Sequence, residues 1–214
     1  MIWAVGVLTA PRERPTLPRT LKSLAAAGWP AAEVLIHQDP HSSGSWPNWY
    51  AMIRRLLSID RRADVLLLVE DDAVVCRDLR PYVEQTLWPA DDCAYCSPYA
   101  PTPYNEHPDV PLGWHEEARG FYAVGSICLA MPRPAAEVLV RDLAYQVRAV
   151  KQIDARVGMW AADTGRSCWY HKPSLAQHVG IGNTAFLSRR HKPDTDHALR
   201  RAGDFVGEDA TPAG

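Results

Sequence analysis

The sequence predicts an α/β sandwich with a mostly parallel central sheet, and two observations lead to this prediction. Short apolar segments alternate along the chain with segments whose apolar residues recur at helical spacing, which is the pattern of strands connected by helices. Residues 65–69 are apolar at every position, as expected of a central parallel strand that helices cover on both faces. A chain of 214 residues is long enough for one such domain, which we place at residues 1–202.

The first half of the chain is predicted to contain three strands, each followed by a helix. The apolar run 2–8 is the first strand, and residues 15–27 form a helix that Gly28 ends. A second strand over 33–37 is followed, after a flexible Ser/Gly loop, by a helix that opens at Pro47-Asn48. The third strand covers 64–69 and precedes a helix over 78–87.

The second half is predicted to be less regular. Residues 88–117 are rich in Pro, Tyr, Asp and His, so we expect loops there with one strand near 94–97. A strand over 121–131 is interrupted by Gly125-Ser126, helices cover 134–150 and 154–162, and a short strand lies at 168–170. The end of the chain, 203–214, is polar with Gly and Pro and is predicted to be a disordered tail.

Composition excludes several classes of protein. The longest purely aliphatic run has five residues, whereas a membrane-spanning helix needs about 20 apolar residues. The first residues lack the positive start and cleavage site of a secretory signal, so we expect a cytoplasmic protein. Its five cysteines are then expected to be reduced thiols. The Cys93-Ala-Tyr-Cys96 motif lacks the second cysteine pair that a structural zinc site needs.

The charge distribution does not favour DNA as a partner. A formal net charge of −2 gives no overall attraction to nucleic acid. Arginines nevertheless recur in pairs, so a local phosphate-binding track stays open as an alternative to solvated helix faces, which is the interpretation we favour. The pairs are Arg54-Arg55, Arg61-Arg62, Arg189-Arg190 and Arg200-Arg201. The sequence gives no prediction of the oligomeric state.

Three acidic residues, Glu70, Asp71 and Asp72, directly follow the strongest predicted strand. Open α/β sheets bind ligands at the carboxyl ends of their strands. Adjacent carboxylates repel one another, and a divalent cation with oxygen ligands, completed by a diphosphate, removes that conflict. The alternative is a solvated turn in which Asp72 caps the element that follows.

The motifs around these acids resemble GT-A glycosyltransferases of the family 2 and family 25 type, with Glu70-Asp71-Asp72 as a variant of their DxD motif. The resemblance covers residues 1–185 in the family's order. It rests on the segments AVGVLTAPRERPTLPRTLKSLAAAG, VLIHQD, GSWPNWYAMIRRLL, LLLVEDD, YAVGSICLAM, KQIDARVGMWA and PSLAQHVG. It implies the GT-A fold, which is an αβα sandwich.

The resemblance also implies a donor site. Thr9, Ala10 and Arg12 would lie in the loop that approaches the nucleotide, with Asp39 near the base or ribose. Asn48 would lie on the helix that precedes the acidic strand.

A metal site is implied beside the donor. Asp72 and His178 would bind Mn²⁺ or Mg²⁺, and the histidine favours Mn²⁺. Glu70 or Asp71 would contact the metal through water or hold the ribose. A histidine such as His178 is otherwise a satisfied buried side chain.

On the acceptor side, Gly125 and Ser126 would line the junction of donor and acceptor, with Asp154 as the catalytic base. The segment QID lacks the double acid that is usual there. Asp154 has the alternative role of a helix cap, and Gly125 that of a β-bulge. Trp114, in a polar segment before the glycine loop, is the tryptophan we expect to contact the acceptor.

The resemblance therefore implies transfer of a sugar from a UDP- or GDP-sugar to a hydroxyl acceptor, with inversion at the anomeric carbon if Asp154 is the base. A retaining mechanism is the alternative if no acid lies on the far face of the sugar. The acceptor stays open among a saccharide, a protein, a small molecule and a hydroxylated DNA base, as in phage enzymes. The alternatives are a nucleotidyltransferase and a non-catalytic nucleotide- or carbohydrate-binding module. The loop TAPRERP has no glycine, which counts against a nucleotidyltransferase.

Overall fold

The structure is a computed structural model that describes residues 1–11, 13–39, 44–101, 105, 107–117, 125–146, 150, 152–180 and 201–212. Its central sheet has seven strands in the order β2-β1-β3-β7-β5-β8-β6. These strands are β1 (Trp3–Thr9), β2 (Val34–Gln38), β3 (Val65–Glu70), β5 (Cys93–Ser97), β6 (Gly113–Glu116), β7 (Cys128–Pro132) and β8 (Ser167–Lys172). A second sheet pairs β4 (Ala73–Val75) with β9 (Ala176–His178).

Most strands of the central sheet run in one direction. Strand β1 is parallel to both β2 and β3, and β5 is parallel to β8. Strand β7 is antiparallel to its neighbours β3 and β5, and β6 is antiparallel to β8. Five strands therefore place their carboxyl ends at one edge of the sheet, which we call the carboxyl edge.

A one-turn 3₁₀ helix (Ala31–Glu33) precedes β2, and six α-helices with described bounds connect these strands. They are α1 (Leu17–Ala27), α2 (Ser45–Ile59), α3 (Leu79–Thr86), α4 (Arg133–Arg141), α5 (Leu143–Gln146) and α6 (Ile153–Asp163). Helix α1 ends as predicted, because Gly28 takes a left-handed φ of 108° and its N–H bonds to the Ala25 carbonyl.

Helices cover both faces of the sheet, which confirms the predicted α/β sandwich. Because successive strand residues point to opposite faces, β3 contributes to two cores. Leu66 and Leu68 pack with residues of α2, α4 and α6. Val65, Leu67 and Val69 pack with residues of α1, α3 and the β4–β9 sheet.

Several elements differ from the sequence prediction, which contains neither of the short strands β4 and β9. The helix predicted at 134–150 is divided, because Asp142 leaves the helical conformation with a ψ of 92°. The segment predicted to be irregular holds β6 in addition to β5. The strand predicted over 121–131 is described only from Cys128 to Pro132, and residues 121–124 lie outside the described part.

The described part of the C-terminal segment, 201–212, packs against the body of the protein. The Val206 N–H donates to the Ser174 carbonyl at 3.2 Å, and Asn105 Nδ2 donates to Asp204 Oδ2 at 2.8 Å. The composition of 203–214 predicts a disordered tail, whereas Asp204 and Val206 of that segment make these contacts and Ala202, just before it, is buried. The difference arises because backbone groups and one carboxylate make these contacts, and composition does not reveal them.

Within the described residues, no helix has the length and apolar character needed to cross a bilayer.

Candidate active site

The acidic triplet lies at the carboxyl edge, where β3 turns into β4. Glu70 is the last residue of β3, and Asp71 and Asp72 form the turn. Both aspartates are only 2% exposed. The turn is fixed from two sides, because the Asp71 N–H donates to the Leu8 carbonyl at 2.9 Å and Thr20 Oγ1 donates to the Asp71 carbonyl at 2.8 Å.

The end of β1 connects this turn to the end of β2. Thr9 Oγ1 donates to Asp71 Oδ2 at 2.6 Å, and the Asp39 N–H donates to the Thr9 carbonyl at 3.0 Å. Asp39 is buried, as is Ala10, which follows Thr9. Three predicted donor residues, Thr9, Asp39 and Asp71, therefore lie together at the edge formed by three adjacent parallel strands.

His178 reaches the triplet from far along the sequence through the β4–β9 sheet. Ala73 is paired with His178, and the Val179 N–H donates to the Asp72 carbonyl at 2.7 Å. His178 Nε2 lies 3.2 Å from Asp72 Oδ2, and both side chains are buried. The two predicted metal ligands are thus in direct contact.

Gly180 allows this close approach. A Cβ atom at Gly180 would lie 2.3 Å from Asp72 Oδ2 and 2.4 Å from Asp72 Cβ. Any side chain at this position would therefore displace either Asp72 or the segment that carries His178.

Gly125 and Ser126 each donate a hydrogen bond to one carboxylate, that of Asp154 or that of Glu70. The Gly125 N–H donates to Asp154 Oδ2 at 3.1 Å, and Ser126 Oγ donates to Glu70 Oε1 at 2.7 Å. Only glycine fits at 125, since φ is 85° and a Cβ would lie 2.2 Å from the ring of Tyr99. This dipeptide links the acidic triplet to the helix that carries Asp154.

Asp154 lies in the first turn of α6, one residue inside the helix, and Gln152 occupies the N-cap position. Its Oδ1 accepts a hydrogen bond from the Ala155 N–H at 2.8 Å. Asp154 therefore stabilises the start of α6 and also contacts the loop at Gly125.

The carboxylates influence one another electrostatically. Burial, followed by the charge of Asp72, raises the pKa of Glu70 to about 7, and the charge of Asp154 acts in the same direction. The Ser126 hydrogen bond and His178 oppose this rise. Negative charge is thus concentrated at one point of the carboxyl edge.

The donor set fits a divalent cation that takes only part of its coordination from the protein. Asp72 offers a carboxylate oxygen and His178 an imidazole nitrogen, and both are ligands that Mn²⁺ accepts. In the described part of the chain, no group of three or more His, Cys, Asp or Glu side chains has the arrangement of a metal cage. The remaining ligands would have to come from a diphosphate or from water.

Some predicted residues lie elsewhere or outside the description. Trp114 lies on β6, four strands beyond β3 in the sheet order, which is roughly 19 Å away. Its indole N–H donates to Thr86 Oγ1 at 3.0 Å, and its ring packs edge-on against His171.

Two residues predicted for the donor site do not join the acids in the described part of the chain. Asn48 is buried in the first turn of α2 and makes no hydrogen bond to the acids among the described residues. Arg12 lies outside the described residues.

Sequence reasoning missed four residues that shape the site, namely Thr20, Ser23, Gln177 and Gly180. Thr20 bonds to the acidic turn, and Ser23 Oγ accepts from the Val75 N–H of β4 at 3.3 Å. The sequence could have identified Thr20 and Ser23, because they share the helical spacing of Leu24 and Ala27, with which they form the buried face of α1. Gln177 and Gly180 flank His178 and carry no local signal.

Comparisons with known proteins give structural likeness at low identity. No protein-family model matches the chain, and no curated protein matches it in sequence. A glycosyltransferase involved in glycosylation of the major capsid of PBCV-1 is 11% identical, with a TM-score of 0.49 over 79% of this chain and 83% of that chain. A nucleotidyl transferase from Methanothermobacter thermautotroptrophicus is 15% identical, with a TM-score of 0.49 over 79% and 86% of the respective chains. An active-site mutant of LgtC is 14% identical, with a TM-score of 0.43 over 97% and 85%. At these values, the function has to be argued from the residues of this chain.

Proposed function

We propose that this protein is a metal-dependent glycosyltransferase that moves a sugar from a nucleoside diphosphate sugar to a hydroxyl acceptor. One observation carries the proposal: Asp72 and His178, which are 106 residues apart in sequence, are in contact at 3.2 Å at the carboxyl edge of the sheet. Open α/β sheets bind nucleotides at that edge. A buried carboxylate and imidazole beside further carboxylates provide the ligands for a cation that bridges to a diphosphate.

The proposed donor site has two parts, one for the cation and one for the nucleoside. Asp72 and His178 would hold Mn²⁺ or Mg²⁺, which when bound would stabilise the negative charge of the departing diphosphate. Thr9 and Asp39 lie beside Asp71 at the ends of β1 and β2, and we assign them to the nucleoside. Asp71 is held by Thr9, so its role is to orient the turn and the ribose.

Asp154 is the residue we assign as the base. Its carboxylate would accept the proton of the acceptor hydroxyl as the hydroxyl oxygen bonds to the anomeric carbon. The bond between that carbon and the diphosphate oxygen breaks in the same step, which inverts the configuration. The Gly125 N–H bond to Oδ2 fixes the orientation of this carboxylate. We expect the acceptor to lie on the Gly125–Ser126 side.

The first test is a calorimetric titration of UDP and GDP, with and without Mn²⁺, into the wild type and the Asp72→Asn and His178→Gln variants. We expect one nucleotide to bind in a Mn²⁺-dependent manner and both variants to lose most of the Mn²⁺-dependent part. Asp109→Asn is the control, because Asp109 is highly exposed and lies on a different loop. Absence of Mn²⁺-dependent binding of either nucleotide would contradict the proposed donor site.

A second measurement separates the glycosyltransferase from the two alternatives. The protein is incubated with a panel of UDP- and GDP-sugars, and also with nucleoside triphosphates plus sugar phosphates. Release of nucleoside diphosphate supports a glycosyltransferase, whereas release of pyrophosphate identifies a nucleotidyltransferase. Binding without any turnover, even with a wide panel of acceptors, would favour a binding module.

A further inference from the structure

The strand that carries His178 is held by the C-terminal segment as well as by β4. Strand β9 has three residues, and the β4–β9 sheet has two strands. A two-stranded ribbon is at most marginally stable by itself. The position of His178 therefore depends on what else holds β9.

Gln177 makes the additional connection with a single side chain. Its Nε2 donates to the Ala202 carbonyl at 2.9 Å, and its Oε1 accepts from the Ala202 N–H at 3.1 Å. The same Oε1 accepts from the His178 N–H at 3.1 Å. The amide of Gln177 thus bonds both peptide groups of Ala202, as a neighbouring strand would, and also fixes the backbone of His178.

Ala202, to which Gln177 bonds, lies in a segment that is fixed by several further contacts. Ala202 is 2% exposed. The residues that follow are fixed by the bond from Val206 to Ser174, by Asn105 Nδ2 on Asp204 at 2.8 Å, and by an ion pair between Arg19 and Glu208. These contacts tie the C-terminal segment to α1 and to the chain just before β9.

We propose that Gln177 is a positioning residue that couples the C-terminal segment to the cation-binding pair Asp72 and His178. This inference rests on the proposed function, because it assigns to Gln177 the role of keeping His178 in place for a cation and a nucleoside diphosphate. Gln177 does not contact the ligand. It acts through the backbone of His178 and through the segment up to Val179, whose N–H bonds to the Asp72 carbonyl.

The burial pattern of β9 supports the division of roles. Ala176 and His178 are buried, while Gln177 is only partly buried. Alternation along the strand therefore directs His178 to Asp72 and Gln177 to Ala202. One residue provides the ligand, and its neighbour provides the attachment to the C-terminal segment.

The test compares Gln177→Met, which keeps the shape of the side chain and removes its hydrogen bonds, with the wild type. Gln85→Met is the matched control, because Gln85 is exposed on α3. For the nucleotide that the wild type binds, we expect the Mn²⁺-dependent affinity to fall about ten-fold, as is typical for loss of a group that orients a metal ligand. Binding of the same nucleotide without Mn²⁺ should stay close to that of the wild type, because Gln177 acts on the cation through His178.

Hydrogen exchange gives a second readout that needs no ligand. In Gln177→Met the amides of His178 and Val179 should exchange faster, while those of β3 keep their protection. Gln177→Glu retains an oxygen that accepts from Ala202 and His178 but replaces the donor to the Ala202 carbonyl with a second oxygen, so protection should recover only in part. Circular dichroism and thermal unfolding confirm that each variant is folded.

The outcomes separate this inference from the proposed function. Unchanged exchange at His178 and Val179 in Gln177→Met would overturn the inference, as would equal losses of Mn²⁺-dependent and Mn²⁺-free binding. If the wild type shows no Mn²⁺-dependent nucleotide binding, the proposed function fails and the assigned cation role fails with it. The exchange experiment then still decides whether Gln177 positions His178.

Discussion

In the half of the sheet formed by β2, β1 and β3, the polar side chains of the site lie at the strand ends and several carry the same charge. In the half formed by β5, β8 and β6, polar side chains lie within the strands and bond to one another. Glu70, Asp71 and Asp72 represent the first half, and Tyr95 and Tyr170, whose hydroxyls are 2.7 Å apart, represent the second. His171 of β8 is bonded to a helix instead, with its Nε2 2.6 Å from the hydroxyl of Tyr82 on α3.

This difference in the position and partners of the polar side chains distinguishes groups that stabilise the fold from groups that bind a ligand. A buried polar group that bonds to a protein partner is satisfied without a ligand. Converging carboxylates repel one another, and the raised pKa of Glu70 reflects burial first and this repulsion second. We therefore assign ligand binding to the first half and a structural role to the polar groups of the second, and five substitutions test this assignment.

The largest effect is expected for Asp154→Asn, a change beside the acidic triplet. Asparagine keeps an oxygen that accepts from the Gly125 N–H but does not accept a proton at neutral pH. We expect turnover of the donor with acceptor to fall about 10²- to 10⁴-fold while nucleotide affinity is retained. Steady-state kinetics and calorimetry measure the two quantities, and Asp91→Asn, at an exposed site, is the control. Unchanged turnover would leave Asp154 only its role at the start of α6.

The next effect is expected for Gly180→Ala, which places a methyl group against Asp72. Overpacking of this kind costs about 1–3 kcal/mol. Because the clash involves a proposed ligand, Mn²⁺-dependent nucleotide binding should fall as well. Gly165→Ala is the comparison, since a methyl group at Gly165 meets nothing within 4 Å, and the positive φ of 65° there tests backbone strain alone. Equal effects of the two changes on Mn²⁺-dependent binding would contradict the role of Gly180.

A smaller effect, on stability rather than activity, is expected for Tyr95→Phe and Tyr170→Phe. Each change deprives the other buried hydroxyl of its 2.7 Å partner, which costs about 1–3 kcal/mol. The double variant should lose less than the sum of the two single changes. Urea denaturation gives these free energies of unfolding. A large loss of nucleotide binding in any of the three variants would break the proposed division between the two halves.

The smallest effect concerns pH and His171, whose Nε2 lies 2.6 Å from the Tyr82 hydroxyl and whose Nδ1 lies 2.7 Å from the Pro173 carbonyl. Burial lowers the pKa of His171 in the folded protein below its usual value of 6.5. The unfolded chain therefore binds a proton more readily as the pH falls below about 6.5, and stability declines there by at most about 1.4 kcal/mol per pH unit from this group.

The His171→Asn variant checks this linkage. Its free energy of unfolding should be lower at pH 8, because two hydrogen bonds are lost, and should decline less steeply between pH 7 and pH 5. Denaturant unfolding at several pH values provides both numbers. If the free energy of unfolding declines as steeply with falling pH in the variant as in the wild type, His171 does not contribute to the acid sensitivity of the fold. The pKa of His115 is also lowered by burial, so part of the slope should persist in the variant.

The sequence by itself determined the α/β class, the central strand at 65–69, the end of α1 at Gly28 and the acidic triplet at the end of β3. These features are local, because the hydrophobic period and the chemistry of helix ends are expressed within a few residues of the chain. The resemblance to a known family selected Asp72, His178 and Asp154 in advance, and whether they bind and catalyse as implied stays a prediction.

Only the tertiary structure decided which distant residues meet. It brought His178 to Asp72 through a three-residue strand, joined Gln177 to Ala202, and made Gly180 and Gly125 necessary by placing Asp72 and the ring of Tyr99 where a Cβ would lie. It also placed Trp114 on the far edge strand and packed the C-terminal segment against the body of the protein. Contacts of this kind depend on the pairing of strands far apart in sequence, and neither composition nor periodicity of a single segment encodes that pairing.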